Sequence, residues 1–275
     1  METKKELYEE LSIIEKWEAD QRGLWFWERL GRLPFKVLDK ITPKLIHDKI
    51  GLLLDEIGSY LQTGGKYLVN EQNIIKMFES QLGRSIDSKD DIGKIPLKEM
   101  KVISQQIKDK RVKVAAIQGA STGFGGLFTL AIDIPALLGL SLKTLQEIAI
   151  VYGYDPNDKN ERVFIIKCLQ FTSSDIVGKE SILNDLSTYY QKENRSKEAI
   201  SQLQGWREVI FSYRDQFGWK KLFQLIPVAG LIFGAYTNRS MIKDIAETGD
   251  MLYRKRKILE RMDQQESVKI KNEEE

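Results

Sequence analysis

Asp133 stands immediately before Ile134 and Pro135, as the lone charge in the stretch GASTGFGGLFTLAIDIPALLGL, residues 119–140. A carboxylate buried in a cleft between glycine-rich helices could bind a cation or face a donor, and Arg162, Asn238 and Arg239 are candidate partners for it. The simpler role is that of a helix cap before Pro135, accepting from backbone N–H groups that would otherwise be unpaired. His47 is the only histidine, so a His-based metal site or a Ser-His pair would have to be built around it alone. Its place beside Asp48 in an amphipathic pattern favours an ordinary surface or half-buried position. Cys168, the only cysteine, excludes an internal disulfide and a thiolate cluster, and its apolar surroundings predict an inert core thiol. Glu161 and Arg162 read as first-turn helix interactions. No carboxylate pair is spaced for acid–base work, and no cofactor or metal is expected.

The glycines offer another kind of chemistry. Gly119 and Gly123 follow Ala115 at four-residue spacing, and Gly230 and Gly234 repeat the pattern after Pro227. Each glycine costs a helix about 1 kcal/mol relative to alanine, a cost usually offset by close approach of another backbone. These two segments are therefore expected to cross each other or a shared neighbour. The same flat face, with Gly126 beyond it, could also meet lipid or wall an apolar ligand pocket. A nucleotide site is unsupported, because no phosphate-binding lysine follows either glycine run and neither follows a predicted strand. Residues 114–132 reach the roughly 20 residues of a membrane span, but Gln118, Ser121, Thr122 and Thr129 dilute them. Integral insertion is thus second to internal packing.

Helices must position these residues. Leu7, Leu11, Ile14 and Trp17 mark an amphipathic first helix, and residues 44–61 show the same spacing. Asn70 caps a short helix, and GRSIDSKDDIGKIP reads as a loop. A helix from Leu97 runs into the glycine-rich segment, Pro135 starts the next, and DPND punctuates before the deeply buried run ERVFIIKCLQF. An apolar stripe follows at 199–213, and a last helix spans about 238–262. Asp133 and Asn238 are expected to end the two glycine-rich helices. Hairpin signals are absent, so the chain is expected to be all-α: a single multi-helix bundle with two Gly-rich apolar helices packed closely in its core.

The expected organisation is an amphipathic helix and Trp-rich linker over 1–33, a helical domain over 34–262, and a charged, disordered tail over 263–275. A net charge of +2 argues against nucleic acid. The amino terminus lacks the apolar core of a secretory signal, which with the cysteine usage points to the cytoplasm. Trp25, Trp27, Arg29 and Arg32, and later Trp219, Lys220 and Lys221, combine rings and cations as an interfacial anchor does; packing onto a helical core accounts for them equally well. YRKRKILERM, residues 253–262, reads as a solvated helix face, with contact to an anionic membrane as the alternative.

The segment from Gly119 through Asp-Ile-Pro, then LKTLQEIAIVYGY and ER at 161–162, resembles the EcsC protein family. LIPVAGLIFGAYTNRSMIKDIAETGDMLYRKRKIL looks like that family's distal element, and EKWE with KVLDKITPKLI is similar to its start. The likeness spans roughly residues 8–260. The family takes its name from a bacterial operon that also encodes an ABC-transporter ATPase and its membrane subunit, so the resemblance implies a transporter-associated role and carries over no catalytic residues. The expectation is a non-enzymatic cytoplasmic accessory protein, peripheral at the inner face of the cell membrane and touching lipid or a membrane complex. A helical module binding an apolar or lipid-like ligand is the alternative, and a hydrolase using Asp133 the third.

Overall fold

Asn70 accepts a hydrogen bond from the Gln72 amide at 3.0 Å, and Asp158 accepts from that of Asn160 at 2.8 Å. Each satisfies an amide that the first helical turn leaves without an intrahelical partner, and so fixes where a helix begins. Gly83 closes the first of these helices in the left-handed conformation, φ 65°, returning its amide to the Glu79 carbonyl.

The computed structural model describes residues 2–21, 60, 69–123, 127–174, 176–189 and 227–274, without the side chains of 89–90, 127–135, 173, 176–177, 187–189, 227–233 and 270–274. The helices among them are α1 (Lys4–Gln21), α2 (Glu71–Leu82), α3 (Lys89–Ile92), α4 (Leu97–Gly123), α5 (Leu127–Val151), α6 (Lys159–Ser173), α7 (Ile176–Tyr189) and α8 (Pro227–Glu274). No strand occurs among the described residues, so the chain is all-α. The α8 helix has 48 residues, which at a rise of 1.5 Å makes it about 70 Å long.

The α4 and α8 helices pair antiparallel. Arg261 reaches the Ile95 carbonyl at one end, Lys108 meets Glu247 at 3.3 Å midway, and Gly119 meets Gly234 at the other end. The α1 helix also runs antiparallel to α8, with Lys4 on Glu266, Glu10 on Arg254 and the Trp17 indole donating to Glu247. The α5 helix packs against both α4 and α8, and α6 covers α8 beside it. Leu7, Phe78, Ile103, Ile148, Phe164 and Tyr253, from α1, α2, α4, α5, α6 and α8, belong to one continuous buried core.

The first helix, the Asn70 cap, the buried run of α6 and the helix from Leu97 all occur as expected. The loop over 84–96 is interrupted by the single turn of α3. Three boundaries differ. The α5 helix begins at Leu127 and runs unbroken through Asp133 and Pro135, so Asp133 is not an amino-terminal cap and Pro135 does not open a helix. A proline there leaves the Ala131 carbonyl without its usual amide donor, but the long apolar run on its carboxyl side carries the helix across. The α8 helix likewise passes through Asn238 and continues to Glu274, so the tail expected to be disordered is helical. The glycine-rich segment is not one helix over 115–132: Gly119 and Gly123 finish α4, and α5 starts anew at Leu127. The helix expected over 44–61, apart from buried helical Tyr60, and the 199–213 stripe lie outside the described residues, as do Gly126 and His47.

The close glycine crossing is present. A methyl group added at Gly119 would overlap the Gly234 carbonyl and come 3.0 Å from the Ala235 nitrogen, both backbone atoms of α8. Gly139, by contrast, has no atom within 4 Å of such a group. Gly119→Ala is therefore expected to lose about 1–3 kcal/mol of unfolding free energy through overpacking. Gly139→Ala should be neutral or gain up to about 1 kcal/mol from helix propensity. Urea unfolding of the two variants beside the parent chain measures both.

Candidate functional site

The turn YGYDPND joins α5 to α6 and collects a group of polar side chains against α8. Gly153 adopts φ 81° there, and a Cβ on it would lie 2.6 Å from the Gly93 Cα, so both the backbone conformation and the neighbouring loop require glycine. The turn presents Tyr152 and Tyr154 to α8. Tyr152 donates to Asp250 at 2.6 Å and Tyr154 to Glu260 at 3.0 Å. One turn into α6, Glu161 accepts from the Tyr253 hydroxyl at 2.7 Å and from Arg256 at 2.8 Å.

On α8 the participants recur at steps of three and four residues, Asp250, Tyr253, Arg254, Arg256, Lys257, Glu260 and Arg261, as residues facing one side of a helix must. The Arg256 guanidinium lies 4.0 Å from the Tyr154 ring centroid and 5.2 Å from that of Phe164, and Lys257 sits 4.7 Å over Tyr154. Arg254 bridges Asp250 and Glu10, both at 3.1 Å. Arg261 joins Glu2 to the carbonyls of Gly93 and Ile95. This corrects the reading of 253–262 as a solvated face: Tyr253, Arg254, Arg256, Lys257 and Arg261 are all buried, with Glu10, Glu161 and Glu2 from elsewhere in the chain pairing Arg254, Arg256 and Arg261. It also corrects Glu161, whose side chain bonds across to α8 instead of within its own first turn.

The electrostatics follow from burial. Desolvation pushes the Tyr152, Tyr154 and Tyr253 hydroxyls well above their ordinary range, so they remain donors. Burial works against the charge on Arg256, but Glu161, Tyr154, Glu260 and Tyr253 together outweigh it and hold the guanidinium protonated. Burial lowers Lys257, opposed by Glu260. Glu161 is only 4% exposed, and burial raises its carboxyl while Arg256 and Tyr253 act in the other direction. Each of its oxygens has a donor, and its burial leaves no substrate-sized approach to it. Chemically, the cluster is a clamp joining α6 and the 152–158 turn to α8.

More open sites lie elsewhere. A cleft of about 500 Å³ is lined by Asn70, Glu71, Lys110, Arg111, Lys143 and Glu147 among others. Arg111 is held there by both Glu147 oxygens, its Nε at 2.6 Å. A shallower groove of about 380 Å³ between α4 and α8 is lined by Asp109, Val112, Lys113, Ala116 and Arg239. Among the described residues no group of three or more His, Cys, Asp or Glu side chains is placed to hold a metal ion.

A sequence model of the EcsC protein family matches residues 8–258. The chain belongs to that family. It is 58% identical over 266 residues to the uncharacterized protein YdbA of Bacillus subtilis (strain 168), covering 96% of this chain and 97% of that one. It is 30% identical over 184 residues to the protein EcsC of the same organism, covering 66% of this chain and 75% of that one. No solved structure matches it. Within this EcsC-family chain, Tyr152, Tyr154 and Glu161, three of the YGY and ER residues that carried the resemblance, join the α5–α6 turn and α6 to α8.

The other residues singled out in the sequence are dispersed. Gly119 and Gly234 meet at the helix crossing, and Asn238 is buried one turn beyond it on α8. Arg162 is buried and donates to the Asn157 carbonyl at 2.6 Å. Cys168 is fully buried, with its thiol pushed well above the ordinary range by desolvation, the inert group expected. Gly123 ends α4, and Pro227 and Gly230 lie in the first turn of α8. The Asp133 and Pro135 side chains fall outside the description, as do Trp25, Trp27, Arg29, Arg32, Trp219, Lys220 and Lys221. Sequence reasoning missed Tyr253, Arg256, Glu260, Arg261 and Glu2. The three- and four-residue steps of tyrosine and cation on α8 were visible, but the carboxylates Glu2 and Glu161 that pair with them lie far away in the sequence.

Glu161→Ala would leave Arg256 buried beside Glu260 alone, a loss of about 3–5 kcal/mol, whereas Tyr253→Phe should cost about 1–3 kcal/mol. Equilibrium unfolding in urea tests that order. For Glu2, burial opposes ionisation, but the Leu97 amide and Arg261 outweigh it and hold the carboxyl below 4.5. A depressed folded-state value stabilises the fold above pH 4.5, and that stability is lost as pH falls through the lower folded value. Melting temperatures across the acid range should therefore fall less steeply for Glu2→Gln than for the parent chain.

Proposed function

We propose that this chain is a non-enzymatic, membrane-associated accessory protein acting at the inner face of the cell membrane. Its place would be beside a membrane complex, an ABC transporter in the setting that the family resemblance implies. One observation carries the reading: at the glycine end of the α4/α8 pair, Ile117 is 71% and Tyr236 is 70% exposed. Large apolar side chains exposed on both helices of the pair support an interaction surface. The surrounding sequence suits a negatively charged one, since no Asp or Glu occurs between Asp109 and Asp133 or between Asp215 and Asp244.

Peripheral contact is the mode proposed, and no helix among the described residues is long and apolar enough to cross a membrane. The buried and paired Glu161 cluster supports a structural role for that polar centre. Where Gly119 meets Gly234 the two backbones occupy the space that an apolar ligand between these helices would need.

Flotation of the purified chain with vesicles tests the proposal. It should rise with phosphatidylcholine vesicles that contain phosphatidylglycerol, and high salt or a carbonate wash should release it. A chain that remains at the bottom of the gradient with every vesicle overturns the reading.

A further inference from the structure

The cleft where the amino end of α2 meets α4 and α5 holds a surplus of hydrogen-bond donors. Ile107, Lys110 and Arg111 of α4 and Lys143 and Glu147 of α5 line it, at steps of three or four along each helix. Glu147 holds the Arg111 guanidinium with both oxygens, and their side chains are only 9% and 11% exposed. That pair is electrically neutral, and the facing edges of the two groups are occupied by one another. Lys110 and Lys143 differ from Arg111, since neither forms an ion pair or hydrogen bond among the described residues. Gln72 and Asn73, in the first turn of α2, likewise present side-chain amides without a partner among the described residues.

The charged groups around this cleft of about 500 Å³ are Lys110, Arg111 and Lys143 against Glu71 and Glu147. With Arg111 and Glu147 cancelling, two ammonium groups face the one remaining carboxylate. The volume is that of a small-molecule site, and the donors select what such a molecule must carry. Donor side chains without acceptors call for a ligand rich in acceptor oxygens, and the balance of charge calls for an anion. A planar carboxylate is held best by the flat fork of an arginine, and the fork of Arg111 already holds Glu147. The lysines act as point charges, which suit the tetrahedral oxygens of a phosphate group. The dipole of α2 acts in the same sense, but Asn70 already takes the Gln72 backbone amide, so the seat is made by side chains. No aromatic ring is among the described residues that line the cleft, so it offers no stacking surface for a nucleotide base.

We propose that this cleft binds the phosphate group of a small polar molecule, with Lys110 and Lys143 donating to its oxygens and Gln72 and Asn73 completing the seat. The site does not depend on the membrane association proposed above.

Isothermal titration of the full chain with inorganic phosphate and with glycerol phosphate, at ionic strength held constant with chloride, tests the assignment. Both should bind at a single site. Lys110→Ala with Lys143→Ala should weaken both by about 100-fold, roughly tenfold for each charge-assisted hydrogen bond lost. Lys16→Ala with Lys98→Ala removes the same charge from exposed positions elsewhere and should leave the affinity nearly unchanged. Lys110 and Lys143 have no partner to lose, so unchanged melting temperatures verify that the variant folds. Flotation with phosphatidylglycerol vesicles distinguishes the source of the phosphate. Equal flotation of the Lys110/Lys143 variant and the Lys16/Lys98 control is expected for a soluble ligand, whereas flotation lost only with Lys110 and Lys143 assigns the same seat to a lipid headgroup. Succinate bound as tightly as phosphate overturns the phosphate assignment. A control that weakens as much as the cleft variant overturns the site, as does a parent chain that binds neither soluble phosphate nor vesicles through these two lysines.

Discussion

The backbone contact between Gly119 and Gly234 is the constraint on which the arrangement turns. With no side chain between them the two longest of the described helices approach until backbone atoms touch, and this sets the separation at one end of the pair. At the other end Arg261 bonds to the Gly93 and Ile95 carbonyls, just before α4 begins. Between these ends α8 is a common wall: α1 lies along it, α5 fits its Leu145 against Gly249, and α6 reaches it through Glu161. The glycines lower helix propensity, and the contact they permit offsets that loss with dispersion and burial over a long interface.

A second constraint is the burial of charge. Arg254, Arg256 and Arg261 leave water almost completely, at a desolvation cost of several kcal/mol for each ion. Each is matched by carboxylates from a different part of the chain: Glu10 for Arg254, Glu161 for Arg256 and Glu2 for Arg261. Such pairs add little net stability compared with apolar packing, but misplacing any of them leaves a charge uncompensated. They consequently disfavour sliding or rotation of α1 and α6 on α8. Nearer the glycine crossing, Lys113 and Arg239 are exposed instead, and meet no carboxylate among the described residues.

How much of this was legible in the sequence depended on the range of the interaction. Local signals read well: the Asn70 cap, the apolar period of α1, the turn before α6 and the four-residue glycine spacing all depend on neighbours within a turn or two. Family kinship was legible for a different reason, since the YGY and ER residues together are distinctive where each alone is not. Asp133 and Pro135 misled because a polar residue before proline is a start signal, which the apolar run beyond it overrode. The buried cations of α8 misled more deeply. A run such as YRKRK is normally solvated, and only carboxylates distant in sequence, Glu10 and Glu161, reverse that. Pairing across such separations leaves no periodic trace.

The unbroken course of α8 limits which sequence changes the chain can accept. Gly234, Gly249 and the 253–261 group each face a specific neighbour, and all are held in phase by one helix. An inserted or deleted residue anywhere between Gly234 and Arg261 would turn everything beyond it by about 100°. The glycine contact or the buried ion pairs could then be kept, but not both. Substitution can reshape this helix position by position, whereas a change in its length within that stretch has no neutral intermediate. Variation in length is left to segments outside it, such as the charged turns that follow Arg261.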